Sequence, residues 1–216
     1  WHRDIVKAGA REWSVQEAQL ILVDKNYPLD EYLDFLDNSY KEWESSCLSP
    51  VDAYPFFRCK FGAEEATGWI QAGFDSEGAQ NWREAGFGAE DARDWQRANF
   101  GAEEARNWRE AGFSVKEAFS WRGADFSSEE ARGWREANFG VEEARGWREA
   151  GFGVEEAKIW KESKFNSEEA RSWREANFGA EEARNWRESN FSSEEARNWR
   201  EANFGVEEAR GWREAG

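Results

Sequence analysis

Pairs of glutamate recur every thirteen residues along most of the chain, as at Glu103–Glu104, Glu142–Glu143 and Glu181–Glu182. Two adjacent carboxylates could serve general acid–base catalysis, but that chemistry needs one carboxyl group with a raised pKa beside one with a low pKa. Near-identical units offer every pair the same environment and provide no such difference. We therefore interpret the pairs as first-turn charges that interact favourably with helix N-termini.

Other residue types that carry catalysis or bind metals are scarce. His2 is the only histidine, and Cys47 and Cys59 are the only cysteines. Two cysteines are too few for a disulfide framework or a zinc site, so we expect free thiols, with a single disulfide as the alternative. The sequence also lacks a phosphate-binding glycine loop and an Asp-rich calcium loop. It therefore predicts no enzyme, no metal site and no cofactor.

A unit of thirteen residues repeats twelve times from Phe61 to Gly216 without a change of register. We number its positions 1 to 13, with Phe100–Gly112 as the reference unit. Position 1 is Phe, position 6 is Ala and position 9 is Trp in every unit. A short period of this kind is typical of proteins whose units stack on their neighbours, because one unit buries too little surface to fold alone.

Each unit has the signals of one short helix followed by a tight turn. Position 2 is Gly, Ser, Asp or Asn, and where it is Ser, as at Ser192, the glutamate three residues later completes a capping box. Position 13 is mostly Gly or Asn, which tolerate the left-handed conformation beyond a helix end. Positions 3, 6, 9 and 12 form an apolar stripe, and positions 4, 7 and 11 face away from it. The sequence thus predicts an all-α solenoid or superhelix with one helix per unit.

The first sixty residues retain only weak copies of this unit. The segment WSVQEAQLI at 13–21 matches FSVKEAFSW at 113–121, and Phe35 and Phe56 take the Trp position in two looser copies. We therefore predict a degenerate helical capping region at 1–60 and twelve tandem repeats at 61–216. The last unit is a full copy without cap-like changes, so we expect that the natural chain continues or that a partner covers its C-terminal end.

The apolar stripe and its flanks suggest how the units join. Trp at position 9 shares the stripe with the constant Ala, so we interpret it as core and not as a platform that stacks on sugars or bases. The Glu of position 5 and the Arg of position 10 flank the stripe, which predicts ion pairs between units, for example among Glu104, Arg109, Glu143 and Arg148. The alternative is that these charges are merely solvated. Position 8 is usually small, which indicates either packing against another unit or a groove for a partner.

Four residues are candidates for contact with a partner. Phe119 replaces the usual Arg of position 7, and Ile159 is the only large residue at position 8. Both are large apolar side chains away from the predicted core stripe. Trp1 and Trp43 lie in the predicted capping region, through which the chain could dock on a larger assembly.

The formal net charge of −16 restricts the partners. An acidic chain repels nucleic-acid backbones and anionic membranes, which bind proteins through an excess of Lys and Arg. The segment EAGFSVKEA at 110–118 resembles the helix-turn-helix joint of DNA-binding proteins such as MerR-type regulators, and this resemblance implies a DNA-reading helix. Such a helix would be basic, whereas Phe100–Gly112 carries three Glu and two Arg. We therefore predict no nucleic-acid partner.

The leading functional hypothesis is a non-catalytic helical repeat scaffold that binds protein partners or spaces them apart. The alternatives are a structural or linker subunit of a large assembly, including a membrane-bound one, and a repeat protein that binds a ligand or glycan through Trp and Glu.

No apolar run is long enough to span a membrane. The chain lacks Met and begins at Trp1, so we expect a soluble, processed chain or a piece of a longer one, with any targeting segment absent or removed. The sequence does not indicate a compartment.

Overall fold

The computed structural model of the protein describes residues 27–46 and 48–215, and every regular element among them is a helix. These residues form fourteen α-helices and one 3₁₀-helix, without a strand, which confirms the all-α prediction. Trp1, the segment 13–21 and Cys47 lie outside the described residues. The chain divides into two compact units, 1–110 and 111–216. The boundary expected at residue 60 stays a prediction.

The described part of the predicted capping region has an aromatic core. It contains α1 (Leu29–Asn38), a 3₁₀-helix (Tyr40–Ser46) and α2 (Pro50–Arg58). Phe35 and Tyr54 are each 1% exposed, with ring centres 5.4 Å apart. The Tyr40 hydroxyl donates to the Leu48 carbonyl at 2.7 Å, which fixes the chain between the 3₁₀-helix and α2.

From residue 63 onward, one short helix forms in each thirteen-residue unit, as predicted. The helices are α3 (Ala63–Ala72), α4 (Ser76–Glu84), α5 (Ala89–Arg97), α6 (Ala102–Glu110), α7 (Val115–Gly123), α8 (Ser128–Glu136), α9 (Val141–Glu149), α10 (Val154–Glu162), α11 (Ser167–Glu175), α12 (Ala180–Glu188), α13 (Ser193–Glu201) and α14 (Val206–Ala215). Within each compact unit, successive helices pack against their neighbours, which is the arrangement of a helical repeat solenoid.

Local sequence explains where each helix begins and ends. Position 2 is the N-cap, and Ser127 accepts a hydrogen bond from the Glu130 backbone N–H while the Glu130 carboxylate accepts from the Ser127 backbone N–H. At the other end, Asn138 adopts a left-handed φ of 63°. Its N–H donates to the Arg135 carbonyl, and the Phe139 N–H donates to the Trp134 carbonyl. This is the Schellman motif, which satisfies two of the last helical carbonyls.

The core consists of the constant residues at positions 1, 6 and 9. The Ala of position 6 has 0% exposure in every unit. Phe and Trp rings alternate edge to face along the array, as in Trp147–Phe152 at 5.2 Å and Phe152–Trp160 at 6.1 Å between ring centres. This geometry suits aromatic quadrupoles, so the rings contribute more than their buried area alone. None of the described helices combines the length and apolar character that a membrane crossing requires.

Candidate functional site

In most units a basic residue at position 10 connects its own unit to the two units before it; the exceptions are Ile70 and Gln96. The Arg174 guanidinium donates to the Ala150 carbonyl at 2.7 Å and to the Gly151 carbonyl at 2.9 Å, in the turn after α9. It also lies over the Phe152 ring, 3.9 Å from the ring centre. Arg83, Arg109, Arg135, Arg148, Arg187 and Arg200 repeat both contacts within their own compact units.

The predicted pairing of position 5 with position 10 is confirmed between adjacent units. Lys161 Nζ lies 2.9 Å from Glu143 Oε2, and Arg213 Nη2 lies 2.9 Å from Glu195 Oε1. The remaining pairs are Arg83–Glu65, Arg174–Glu156, Arg187–Glu169 and Arg200–Glu182. These side chains are about one third to one half exposed, so each pair contributes only about 0–1 kcal/mol. The hydrogen bonds to turn carbonyls and the contacts with Phe rings carry more of the coupling.

The outward positions 7 and 11 pair within a single helix. Arg145 Nε lies 3.1 Å from Glu149 Oε1, and Arg171 Nε lies 2.9 Å from Glu175 Oε1. The same four-residue spacing occurs in Arg106–Glu110, Arg132–Glu136, Arg184–Glu188, Arg197–Glu201 and Arg210–Glu214. Position 4 adds another glutamate in eleven of the twelve units. The outward surface is therefore a regular and predominantly acidic array.

The paired glutamates behave as helix caps. Backbone and hydroxyl hydrogen bonds from the N-cap serine lower the pKa of Glu130 and of Glu195. The Ser114 hydroxyl and then its backbone N–H do the same for Glu117. A general acid would need the opposite shift. Among the described residues, no group of three or more His, Cys, Asp or Glu could hold a metal ion.

Trp side chains from Trp69 to Trp186 are buried, with at most 5% exposure. Rings that are covered on both faces cannot stack on a sugar or a base, so these residues give no support to a ligand platform. Trp212 differs, because it is 63% exposed at the end of the described chain.

An open cavity in the N-terminal compact unit is lined by acidic and aromatic residues, among them Asp30, Glu31 and Tyr54. The chain supplies its own cation there, since Arg58 Nε lies 3.6 Å from Glu31 Oε2. The Arg58 guanidinium also lies 5.0 Å from the centre of the Tyr27 ring. This arrangement accounts for the aromatic and acidic residues without a ligand. Cys59, near this cavity, is a free thiol.

The small residues at position 8 lie near position 3 of the unit two further on. A Cβ added to Gly146 would lie 3.3 Å from Ser167 Oγ, and one added to Gly133 would lie 3.9 Å from Val154 Cγ2. Packing therefore explains a small residue at Gly146, whereas the Cβ added to Gly133 would make only an ordinary van der Waals contact. At Gly68 an added Cβ would have no neighbour within 4 Å, so the explanation does not extend to every unit.

The four candidate contact residues lie in different environments. Phe119 and Ile159 are exposed by 57% and 56%, which places both on the outward surface. Trp43 is 3% exposed, and its ring centre lies 6.2 Å from that of Phe35. The Trp43 side chain therefore belongs to the core of the capping region and is not accessible to a partner in this conformation. Trp1 lies outside the described residues.

Two further departures accompany Phe119 on α7. Lys116 is the only residue at position 4 that is not Glu, and Gly123 is the only residue at position 11 without a long polar side chain. The expectation for Phe119 rested on position 7 alone and did not include these two residues. The signal was present, because aligning the twelve units shows all three outward positions changing in one unit.

Comparisons of the chain with protein-family models, curated proteins and solved structures yield no match. Its function must therefore be inferred from its own residues. The constant positions build the array, and the variable outward residues are where a specific role would differ from unit to unit.

Proposed function

We propose that the chain is a non-catalytic α-helical repeat scaffold that binds protein partners through the outward faces of its helices. The observation that carries this proposal is the exposure of Phe119 at position 7. In every other unit the residue at this position is charged or polar. Aromatic side chains are enriched among the residues that carry the binding energy of protein interfaces, so an exposed ring on an otherwise polar surface is a natural contact point. Ile159 is a second exposed apolar position of the same kind.

The repeated geometry also supports a structural role along a larger assembly. Outward glutamates recur at a constant interval in the repeat, so an elongated partner with its own regular spacing could contact many units at once. Each contact of this kind is weak, but the overall affinity rises with the number of contacts made at once. Such a subunit is the second candidate function.

Co-purification from the native source, at low and at high salt after mild chemical cross-linking, tests the proposal. The scaffold function predicts a stoichiometric set of proteins that survives washing and is cross-linked to defined units. Cross-links distributed over the whole repeat would favour the structural subunit. Recovery of the chain alone, or with only a small molecule or glycan, would contradict both candidates.

A further inference from the structure

The strongest departure from the repeat is a surface that we call the α7 patch: Lys116, Phe119, Ser120 and Gly123. Residues three, four and seven apart share one face of a helix, so these four residues lie together. The reference unit has Glu103, Arg106, Asn107 and Glu110 at the same positions.

The inner side of α7 is unchanged. Ala118 and Trp121 are buried, with 0% and 4% exposure, and Ser114 forms a complete capping box with Glu117. The departures are therefore confined to the solvent side. There they replace an exposed Arg–Glu pair with an exposed ring and with Gly123, the last residue of α7, so the helix loses the stabilisation of one pair four residues apart. Folding of the array gives no reason for this exchange.

The shape of the α7 patch suits close approach by another chain. Gly123 is exposed, and a Cβ placed on it would meet no atom within 4 Å. The Ser120 hydroxyl donates to the Lys116 carbonyl at 3.2 Å, so its donor is satisfied within the helix. The Phe119 ring thus stands beside a low, open surface where a partner side chain can pack against it.

The charge of the α7 patch is opposite to that of its counterparts. Positions 4, 7 and 11 carry Glu, Arg and Glu in the reference unit, a net charge of −1, whereas Lys116, Phe119 and Gly123 give +1. The whole chain has a net charge of −16, so this cation stands on an acidic surface. Charge complementarity then favours an anionic group in the partner.

From these observations we propose that the α7 patch docks a protein segment that presents an apolar side chain next to Asp or Glu. The apolar side chain packs on Phe119 above Ser120 and Gly123, and the carboxylate pairs with Lys116. This assignment rests on the proposed scaffold function and specifies the chemistry of one partner.

The test uses a panel of synthetic peptides, in which a single Leu or Phe is flanked by Asp and Glu, in helical and in extended versions. Neutral peptides with Asn and Gln in place of the acids are the matched probes, because basic peptides would bind this acidic chain at many places. Binding to the full chain is measured by fluorescence anisotropy and by NMR shifts of α7 amides. We expect the acidic peptides to bind the α7 patch more tightly than the neutral ones, because only the acidic peptides pair with Lys116.

The triple variant Lys116→Glu, Phe119→Arg and Gly123→Glu restores the repeat pattern on α7. The variant should fold normally, because each substitution introduces the residue that neighbouring units carry at the same position. Misfolding would therefore not explain a loss of binding. Affinity for the acidic peptides should fall about tenfold or more, as when a central contact is removed. The reverse exchange on α9, Glu142→Lys with Arg145→Phe and Glu149→Gly, should create a second binding site, seen as a doubled stoichiometry.

Several outcomes would overturn the proposal. These are no peptide binding, equal binding of acidic and neutral peptides, or affinity that the triple variant leaves unchanged. Self-association that the triple variant abolishes would assign the α7 patch to a second copy of the chain. Binding to phosphatidylcholine–phosphatidylserine vesicles that the triple variant abolishes would assign it to a membrane. If native partners co-purify equally with the wild type and the triple variant, the scaffold function stands and this assignment fails.

Discussion

The Arg174 guanidinium lies over the Phe152 ring, 3.9 Å from its centre, while it donates to the Ala150 and Gly151 carbonyls. One side chain of α11 thereby holds the turn that joins α9 to α10. The Schellman motif satisfies the Trp147 and Arg148 carbonyls, and Arg174 supplies the donors for the two carbonyls just beyond α9. A cation is also favourable at a helix C-terminus. A basic residue at position 10 thus couples three consecutive units.

Arg174→Ala should lower the free energy of unfolding by about 1–3 kcal/mol, because the partly buried Ala150 carbonyl loses its donor and the Phe152 ring loses its cation. The matched control is Arg171→Ala, which removes only an exposed pair with Glu175 and should cost about 0.5 kcal/mol or less. Urea unfolding followed by far-UV circular dichroism measures both. Arg174→Lys should retain part of the stability, since Lys161 makes the equivalent contacts with Asn138 and Phe139. Equal losses for the two alanine variants would refute the coupling.

Trp147→Ala should lower the free energy of unfolding by about 3–5 kcal/mol, because it leaves a cavity between Phe139 and Phe152. Trp147 is 2% exposed, whereas Trp212 is 63% exposed and provides the control. Trp212→Ala should change stability by less than about 1 kcal/mol. Thermal unfolding by calorimetry compares the two variants. A near-neutral Trp147→Ala would mean that position 9 is not the core of the array.

Asn138→Val should destabilise the fold by about 1–3 kcal/mol, because a β-branched residue is strained at the observed φ of 63°. Asn138→Gly is the control and should be neutral within about 0.5 kcal/mol, since glycine takes this conformation freely and already occupies position 13 at Gly151. Urea unfolding distinguishes the two. If both variants lose the same stability, the Asn138 side chain contributes something other than backbone conformation.

The stabilising effect of the Glu130 cap should depend on pH. Hydrogen bonds from the Ser127 backbone N–H and hydroxyl lower the pKa of this carboxyl group from its ordinary value of 4.5. A lowered folded-state pKa contributes stability that is complete above the unfolded-state pKa and is lost as the pH falls through the folded-state pKa. Ser127→Gly removes the hydroxyl donor and keeps the backbone donor. The stability difference between wild type and variant should thus be constant near neutral pH and shrink below about pH 4.5.

Urea unfolding at a series of pH values, with an NMR titration of the Glu130 carboxyl group, measures this effect. Gly140 occupies the same N-cap position in the next unit, so Gly140→Ala controls for a general effect of changing that position. A difference that does not vary with pH would show that the hydroxyl bond has no electrostatic role.

The regular part of the fold was predictable because its signals are local. Ser127 and Glu130 define a helix start, Asn138 defines an end, and the constant Phe, Ala and Trp define the buried face. Each of these follows from the spacing within one unit and from backbone preference.

The contacts between units were only partly predictable. Pairing of Glu143 with a position-10 cation follows from the flanks of the stripe, and Lys161 fulfils it. The carbonyl acceptors and the Phe ring beneath the cation depend on the angle between successive helices, which no spacing within a unit specifies. The burial of Trp43 likewise depends on a 3₁₀-helix in a segment without a periodic pattern.

The contacts of the position-10 cation also limit which insertions and deletions the repeat can accept. Within the C-terminal compact unit, the acceptor carbonyls lie 23 and 24 residues before the donor, as at Arg174 and Arg200. Duplication or loss of a whole unit reproduces these separations between the new neighbours. An insertion or deletion of any other size shifts the donors out of phase with the turns on one side of the change. Gain or loss of whole units can therefore lengthen or shorten the acidic surface while each neighbouring position-10 cation keeps acceptor carbonyls at the same separation.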